Sequence, residues 1–232
     1  MKTSIIILNF NTLEHLKRCV ESVKVNTTEY ELIIVDNGST EKGTKEFIKQ
    51  NSDKHIFNKQ NNGFPKGNNQ GAEIASGDFL CFLNSDTIVS PHWLDEMFGI
   101  YTRNRRVGMV GPLGNPQVRV INKEFILFQQ YIGQYSKDAK VNKLVGFCLL
   151  IKKDLFNEIK FDEDFGLGQF EDNLLCDKIR EMGYNLWVAS NSYVFHPFPS
   201  RTFQTNNINQ EDLLRCNGKL YREKSGVPYG RI

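Results

Sequence analysis

The sequence predicts an α/β fold, a mostly parallel central sheet flanked by helices. Three observations carry that expectation. The run Ser4-Ile5-Ile6-Ile7-Leu8 is continuously apolar and β-branched, as a strand buried on both faces of a parallel sheet must be. Glu31 to Val35 and Asp78 to Leu83 repeat the pattern. Helix-periodic stretches separate these runs, and a β-α-β-α order folds into a sheet with helices on both faces.

Taken in order, the first strand is followed by Asn11 with Glu14 three residues later, a capping-box pattern. Leu13, Leu16, Val20 and Val23 then recur at helical spacing. The second strand ends at Asp36, and Asn37-Gly38-Ser39 signals a turn. A short polar helix over Lys45 to Gln50 leads to a weak strand near His55 to Phe57. The glycine-rich stretch "QNNGFPKGNNQGAEIASG" opens a helix, and the strand "DFLCFL" ends at Asn84-Ser85-Asp86. Ser90-Pro91 reads as a helix start with Pro in the first position, carrying Trp93, Leu94, Met97 and Tyr101 on one face. Val107 to Val110 is another strand.

Beyond Gly111-Pro112 the pattern changes. Residues 113 to 140 show no clean period. "KLVGFCLLIKK" (143 to 153) is strand-like, a helix is expected from Asp172 to Met182, and "NLWVAS" and "SYVFH" read as two further strands. The tail from 206 to 232 reads as polar and helical. There are no repeats and no convincing linker, so one domain over 1 to 205 with an appended tail is expected.

Composition sets the bounds. With 24% charged and 40% hydrophobic residues over 232 positions, the chain can bury a sizeable core. Its formal charge of +2 is too small to argue for a nucleic-acid partner, although it leaves room for a mildly basic anion pocket. The five cysteines never form a C-x-x-C pair, which speaks against a disulfide framework or a zinc site and for a reducing cytosol. No secretory signal is visible, and the longest apolar run, Leu144 to Ile151, is far too short to span a bilayer. A soluble, cytoplasmic protein is the expectation, and the abrupt ending "GVPYGRI" fits a module fused to further domains.

In open α/β sheets ligands bind at the carboxyl ends of the strands. Asp36 and Asn84/Asp86 sit at two such ends. A lone acid there is ordinarily a turn or cap residue, but two at corresponding ends are more informative. Asp86 could hold a hard divalent cation such as Mg²⁺ or Mn²⁺. Gly63, Gly67, Gly71 and Gly77 match neither a dinucleotide fingerprint nor a Walker loop. They permit a tight loop and a closely packed helix, or they bring backbone N–H groups and Lys66 to a phosphate. Glu171-Asp172 opens a helix, where acids are favoured by capping and the helix dipole. Either acid could act as a base, and the apolar arc Leu175, Ile179, Met182 does not choose between them. His196 ends an apolar strand. Alone it would be a structural histidine, and His15, His55 and His92 indicate nothing specific.

Together these stretches resemble the family-2 glycosyltransferases, nucleotide-sugar-dependent enzymes of the A-type glycosyltransferase fold. The matching blocks are "SIIILNFN", "LIIVDNGST", "NNGFPKGNNQGAEIASGDFLCFLNSDT", "GFCLLIKKDLF", "FDEDFGLGQFEDNLLCDKIREMGY" and "VFHPFPS", in family order over residues 3 to 200. The rhamnosyltransferase-type branch, which builds bacterial surface polysaccharides or glycoproteins, is the most similar. The resemblance implies a donor half over 1 to 112 and an acceptor half over 113 to 205. It places Asn9, Asn11 and Asp36 around nucleobase and ribose, and Asn62, Gly63, Lys66 and Asn69 beside the donor. Asn84-Ser85-Asp86 stands where the family has its Asp-x-Asp metal motif, with Asn for the first acid, so Asp86 is the main carboxylate ligand and His196 completes the site. Asp172 matches the catalytic base, with Glu171 as neighbour. The implied partners are a UDP-, dTDP- or GDP-sugar and a glycan, lipid-linked glycan or protein acceptor, with a peripheral membrane contact compatible.

Two rivals are weighed. A sugar nucleotidyltransferase should carry a Gly-rich basic loop after the first strand, where this chain has Asn9-Phe10-Asn11. A degenerate domain that only binds a nucleotide sugar or a partner has no reason to retain Asp36, Asp86, Glu171-Asp172 and His196.

Overall fold

β1 (Thr3–Asn9) is the spine of the sheet, and its alternating side chains explain why the whole strand is apolar. Ile5 and Ile7 enter a core shared with Leu16, Val20 and Trp93, whereas Ile6 enters the opposite core with Phe82, Phe156 and Ile179. The computed structural model describes residues 2–114, 137–197, 204, 206 and 208–226. Most of the expected acceptor-facing segment, residues 115 to 136, therefore lies outside the described residues, as does the end of the chain from 227.

The first half follows the expected order. β1 leads to α1 (Leu13–Asn26), β2 (Tyr30–Asp36), α2 (Thr44–Asn51), β3 (Lys54–Phe57), α3 (Phe64–Ile74) and β4 (Phe79–Asn84). A short β5 (Ile88–Val89), α4 (Trp93–Arg103) and β6 (Val107–Leu113) follow. The second half holds β7 (Ala139–Val141), β8 (Cys148–Lys152) and α5 (Lys153–Ile159). Then come a 3-10 turn (Glu163–Phe165), α6 (Glu171–Glu181), β9 (Asn185–Phe195) and α7 (Gln210–Ser225). Among the described residues, no helix is long and apolar enough to cross a membrane.

The strands run in the order β3-β2-β1-β4-β8-β6-β9-β5, with β7 also on β9. β1, β2, β3 and β4 are mutually parallel. Register pairs Asn9 with Asp36 and Leu8 with Asn84, so three strand ends reach one edge of the sheet. β8 runs against both β4 and β6. Because Cys148 lies opposite Leu83, the residues just before β8 arrive at that same edge. There the Asn84 N–H donates to the Phe147 carbonyl at 2.9 Å.

Several local expectations are corrected. The capping box at Asn11 does not form: Asn11 is left-handed (φ +50), Thr12 occupies the cap, and the Asn11 carboxamide accepts from the Thr40 N–H instead. Pro91 precedes the helix, which begins at Trp93, because the Ser90 N–H is tied to the Tyr193 carbonyl on β9. Only Cys148 to Lys152 of "KLVGFCLLIKK" is strand. "NLWVAS" and "SYVFH" form one strand, not two. Met182 is 43% exposed, so the apolar arc of α6 ends at Ile179.

The glycine-rich stretch is a packing device. A Cβ on Gly71 would stand 2.5 Å from Ile6 Cγ2, so α3 can lie this close to the sheet only without it. Gly63 is more demanding, since its φ is +84 and a Cβ would fall 1.8 Å from the Gly166 carbonyl oxygen. Gly166 is also left-handed (φ +56) but faces open space. Gly63→Ala is thus expected to destabilise by several times the ~1 kcal/mol typical of Ala at a left-handed position, and Gly166→Ala by about that amount alone. Urea midpoints check the contrast, and equal losses at both positions would contradict the close approach.

Candidate active site

The carboxyl edge of the sheet encloses a cavity of about 300 Å³. Of the residues singled out from sequence, Gly63, Asn84, Ser85, Glu171, Asp172 and His196 line it. They come from both halves of the chain, brought together by the β4–β8 register and by the return of β9 along β6.

At the end of β4, Asp86 is buried behind this wall, with its Oδ1 3.3 Å from His196 Nε2. Asn84 Nδ2 approaches the same ring nitrogen at 3.3 Å. The His196 ring stacks on Phe147, with centroids 5.2 Å apart and planes 12° from parallel, which fixes its direction. One carboxylate and one imidazole converge here, and among the described residues no group of three or more His, Cys, Asp or Glu forms a complete cage. This donor set would fit a hard divalent cation such as Mn²⁺ or Mg²⁺.

Asn9 and Asp36 do not line the cavity but build the floor beside it, both fully buried. Asp36 Oδ1 accepts from Asn9 Nδ2 at 2.9 Å and from the Ser39 hydroxyl at 2.5 Å, and Oδ2 accepts from the Ser39 N–H. The Ser39 hydroxyl also accepts from the Asn11 N–H at 2.8 Å, so the β1 and β2 loops form one unit. The Thr12 hydroxyl links Asn9 to Ser85 Oγ, extending the unit to β4.

Asn62, Lys66 and Asn69 are not brought to the cavity. Lys66 is exposed on the first turn of α3, and Asn62 is half-buried between the lining residues Asn61 and Gly63. Asn69 is turned away, with its carboxamide donating to the Phe161 carbonyl and accepting from the Phe161 N–H. Lys66 and Asn69 lie away from it because α3 begins at Phe64, and a helix sends successive side chains to different sides.

The two acids at the start of α6 differ in surroundings. Asp172 Oδ2 accepts from the Gly146 N–H at 2.7 Å and Oδ1 from the Asn173 N–H at 2.7 Å. Burial pushes its carboxyl upward, opposed by these backbone N–H groups and by Lys143. Glu171 is buried, and its Oε2 has no hydrogen-bond partner among the described residues. Burial first, then the charge of Asp172, pushes Glu171 up to about 8. Burial and the neighbouring charge thus favour the protonated form of Glu171, whereas the backbone N–H groups and Lys143 favour the carboxylate of Asp172.

A stability prediction follows from that asymmetry. An acid raised on folding keeps a proton that the unfolded chain has lost, so stability is highest below the unfolded value and falls as pH rises to about 8. Glu171→Gln removes this slope. Its melting temperature should gain on wild type from pH 5 to pH 8.5, and a pH-independent difference would refute the assignment.

Sequence reasoning missed Asn37 and Asn61, which line the cavity and bond to each other at 3.1 Å. The position of Asn37, one residue beyond the β2 carboxyl end, was a usable signal. Phe147, Gln169, Ile208 and Gln210 gave none, because each depends on a distant segment folding back.

Comparisons with known proteins show the family and the fold. Residues 4–160 match the family model described as glycosyl transferase family 2. The glycosyltransferase GlyG of Streptococcus pneumoniae is 25% identical over 210 residues, covering 80% of this chain and 69% of that one. Among solved structures, GalNAc-T7 with UDP, GalNAc and Mn²⁺ superposes with a TM-score of 0.72 at 18% identity, over 100% of this chain and 52% of that chain. The mannosyltransferase PcManGT of Pyrobaculum calidifontis, in complex with GDP-Man and Mn²⁺, gives 0.70 at 17% identity, over 95% and 64%. The chain spans about half to two thirds of the length of these two solved structures.

Proposed function

The chain belongs to glycosyl transferase family 2, and we propose that it moves a hexosyl or deoxyhexosyl group from a nucleoside-diphosphate sugar to an acceptor hydroxyl, with inversion. The carrying observation is that His196, backed by buried Asp86, and the Glu171–Asp172 pair line one cavity beside the Asn9–Asp36 pair.

In this reading the donor's nucleoside lies over the β1 and β2 ends, beside Asn61, whose carboxamide oxygen is held by Asn37 Nδ2. Gly63 allows the donor loop to approach the 166–168 loop. Asp86 and His196 would hold Mn²⁺ or Mg²⁺, which when bound would supply positive charge toward the leaving diphosphate. Asp172, held by the Gly146 and Asn173 N–H groups, accepts the proton of the attacking hydroxyl at a carboxylate oxygen. Protonated Glu171 keeps a second negative charge away from Asp172 and has a free donor for a substrate oxygen. A single base facing the cavity fits direct displacement. The acceptor is read as a glycan, lipid-linked glycan or protein, in bacterial surface polysaccharide or glycoprotein glycan synthesis in the cytoplasm; the family match supports the sugar transfer itself.

A panel of UDP-, dTDP- and GDP-sugars, screened by thermal shift with and without Mn²⁺, tests the reading. One class should raise the melting temperature in a metal-dependent way and be slowly hydrolysed without acceptor. Stabilisation without any turnover would favour a domain that only binds nucleotide sugars, and no stabilisation by any member would overturn the proposal.

A further inference from the structure

The C-terminal helix α7 packs against the loop 165–170, which leads into Glu171. This loop is built from unusual backbone. Gly166 (φ +56), Gly168 (φ +119), Gln169 (φ +81) and Phe170 (φ +73) all lie in the left-handed region, which side-chain-bearing residues rarely adopt. Leu167, Gly168 and Gln169 face the cavity. On one side the Gly166 carbonyl presses against Gly63, so closely that no Cβ would fit. Such a conformation persists only when its surroundings over-determine it.

The other side is supplied by α7. The buried Asn217 carboxamide donates through Nδ2 to the Phe165 carbonyl at 2.8 Å and to the Gly168 carbonyl at 2.7 Å. One turn on, Tyr221 stacks on Phe170, with ring centroids 5.5 Å apart. Lys224, a further turn along, pairs with Asp162 and Asp164 across the 3-10 turn. These residues recur at helical spacing, so one face of α7 tracks the loop from end to end. Asn217 holds the loop just before the cavity-lining segment, at Phe165, and within it, at Gly168.

We propose that Asn217 is a positioning residue for sugar transfer: by bridging the Phe165 and Gly168 carbonyls, it fixes the loop that sets Glu171 and Asp172 against the donor wall at Gly63. The proposal rests on the glycosyl-transfer reading of the cavity. It makes α7 a working part of the site. Replacement of the carboxamide removes the donor to the Gly168 carbonyl and leaves the Phe165 carbonyl with the Gly168 N–H at 3.1 Å, and the loop relaxes toward ordinary backbone conformations.

The test uses the full chain with Asn217→Leu, similar in size but without donors, and Tyr221→Phe. The latter keeps the ring on Phe170 but loses the hydroxyl's bonds to Asp177 and Lys143. Folded sites are counted by binding of UDP or GDP with Mn²⁺, well below each melting temperature. Transfer is followed with the nucleotide sugar that the panel identifies. Asn217→Leu should speed amide exchange across 165–172 and lower kcat per folded site by about 10- to 100-fold, as expected for a displaced catalytic group, with donor KM nearly unchanged. Tyr221→Phe should lower the melting temperature without either effect. Unchanged exchange in Asn217→Leu, or equal kcat losses in the two variants, would overturn the proposal. Should Asn217→Leu not fold, Asn217→Ser, too short to bridge both carbonyls, serves the same comparison. A wild-type protein that turns over no nucleotide sugar would remove the reading of the cavity, and amide exchange would then still decide whether Asn217 holds the loop.

Discussion

Asp172→Asn is expected to lower transfer turnover by about 10²–10⁴-fold, the range for loss of a general base. The amide keeps the shape of the carboxylate and its oxygen can still accept from the Gly146 N–H, while the contact with the Asn173 N–H is lost, so a modest loss of stability should accompany an intact cavity. What disappears is an oxygen able to take the acceptor proton. Donor affinity should barely change, because Asp172 is proposed to face the acceptor and the Asp86–His196 pair the diphosphate. Glu171→Gln should cost much less: Glu171 is already neutral at working pH, and glutamine retains a donor. Transfer kinetics of both variants, with donor binding measured in parallel, check the assignment. An inactive Glu171→Gln beside an active Asp172→Asn would reverse the roles of the two acids.

The second large effect is expected at Asp86. Asp86→Ala should abolish Mn²⁺-dependent binding of a nucleoside diphosphate, because it removes the only carboxylate of the proposed pair. The alanine also leaves His196 without the acid at 3.3 Å. His196→Ala should weaken binding less, since the carboxylate carries the charge that attracts the ion, and imidazole is the softer ligand. Calorimetric titration of UDP and GDP with and without Mn²⁺ reads both variants. Unchanged metal-dependent binding in Asp86→Ala would remove the metal from this position.

Much of this arrangement was legible before any coordinates. Apolar β-branched runs cannot alternate if both faces are buried, and Ile5, Ile6 and Ile7 indeed divide between two cores. A polar residue at the end of such a run must leave the core at the sheet edge, which is why Asp36, Asn84 and Asp86 could be picked out. The glycines of α3 were read as permitting a close-packed helix, and Gly71 against Ile6 shows that packing.

What a local pattern cannot carry is the pairing of distant segments. Nothing in "GFCLLIKK" states that its strand runs against both neighbours, yet that reversal delivers the Gly146 N–H to Asp172 and the Phe147 ring to His196. Nothing near Lys66 or Asn69 states that a helical turn carries them away from the cavity while Asn37 and Asn61 face it. The polar tail read as an appendage because its few buried residues, Asn217, Gly218 and Tyr221, are mostly not apolar, and their value lies in partners some fifty residues away. The sequence by itself determined the elements, the polarity of the strand ends and the chemical types available, because these follow from periodicity and burial along the chain. Tertiary structure alone decided which of those groups meet and which acid holds the proton, because hydrogen-bond partners, burial and charge separation exist only once the two halves and α7 close around one cavity.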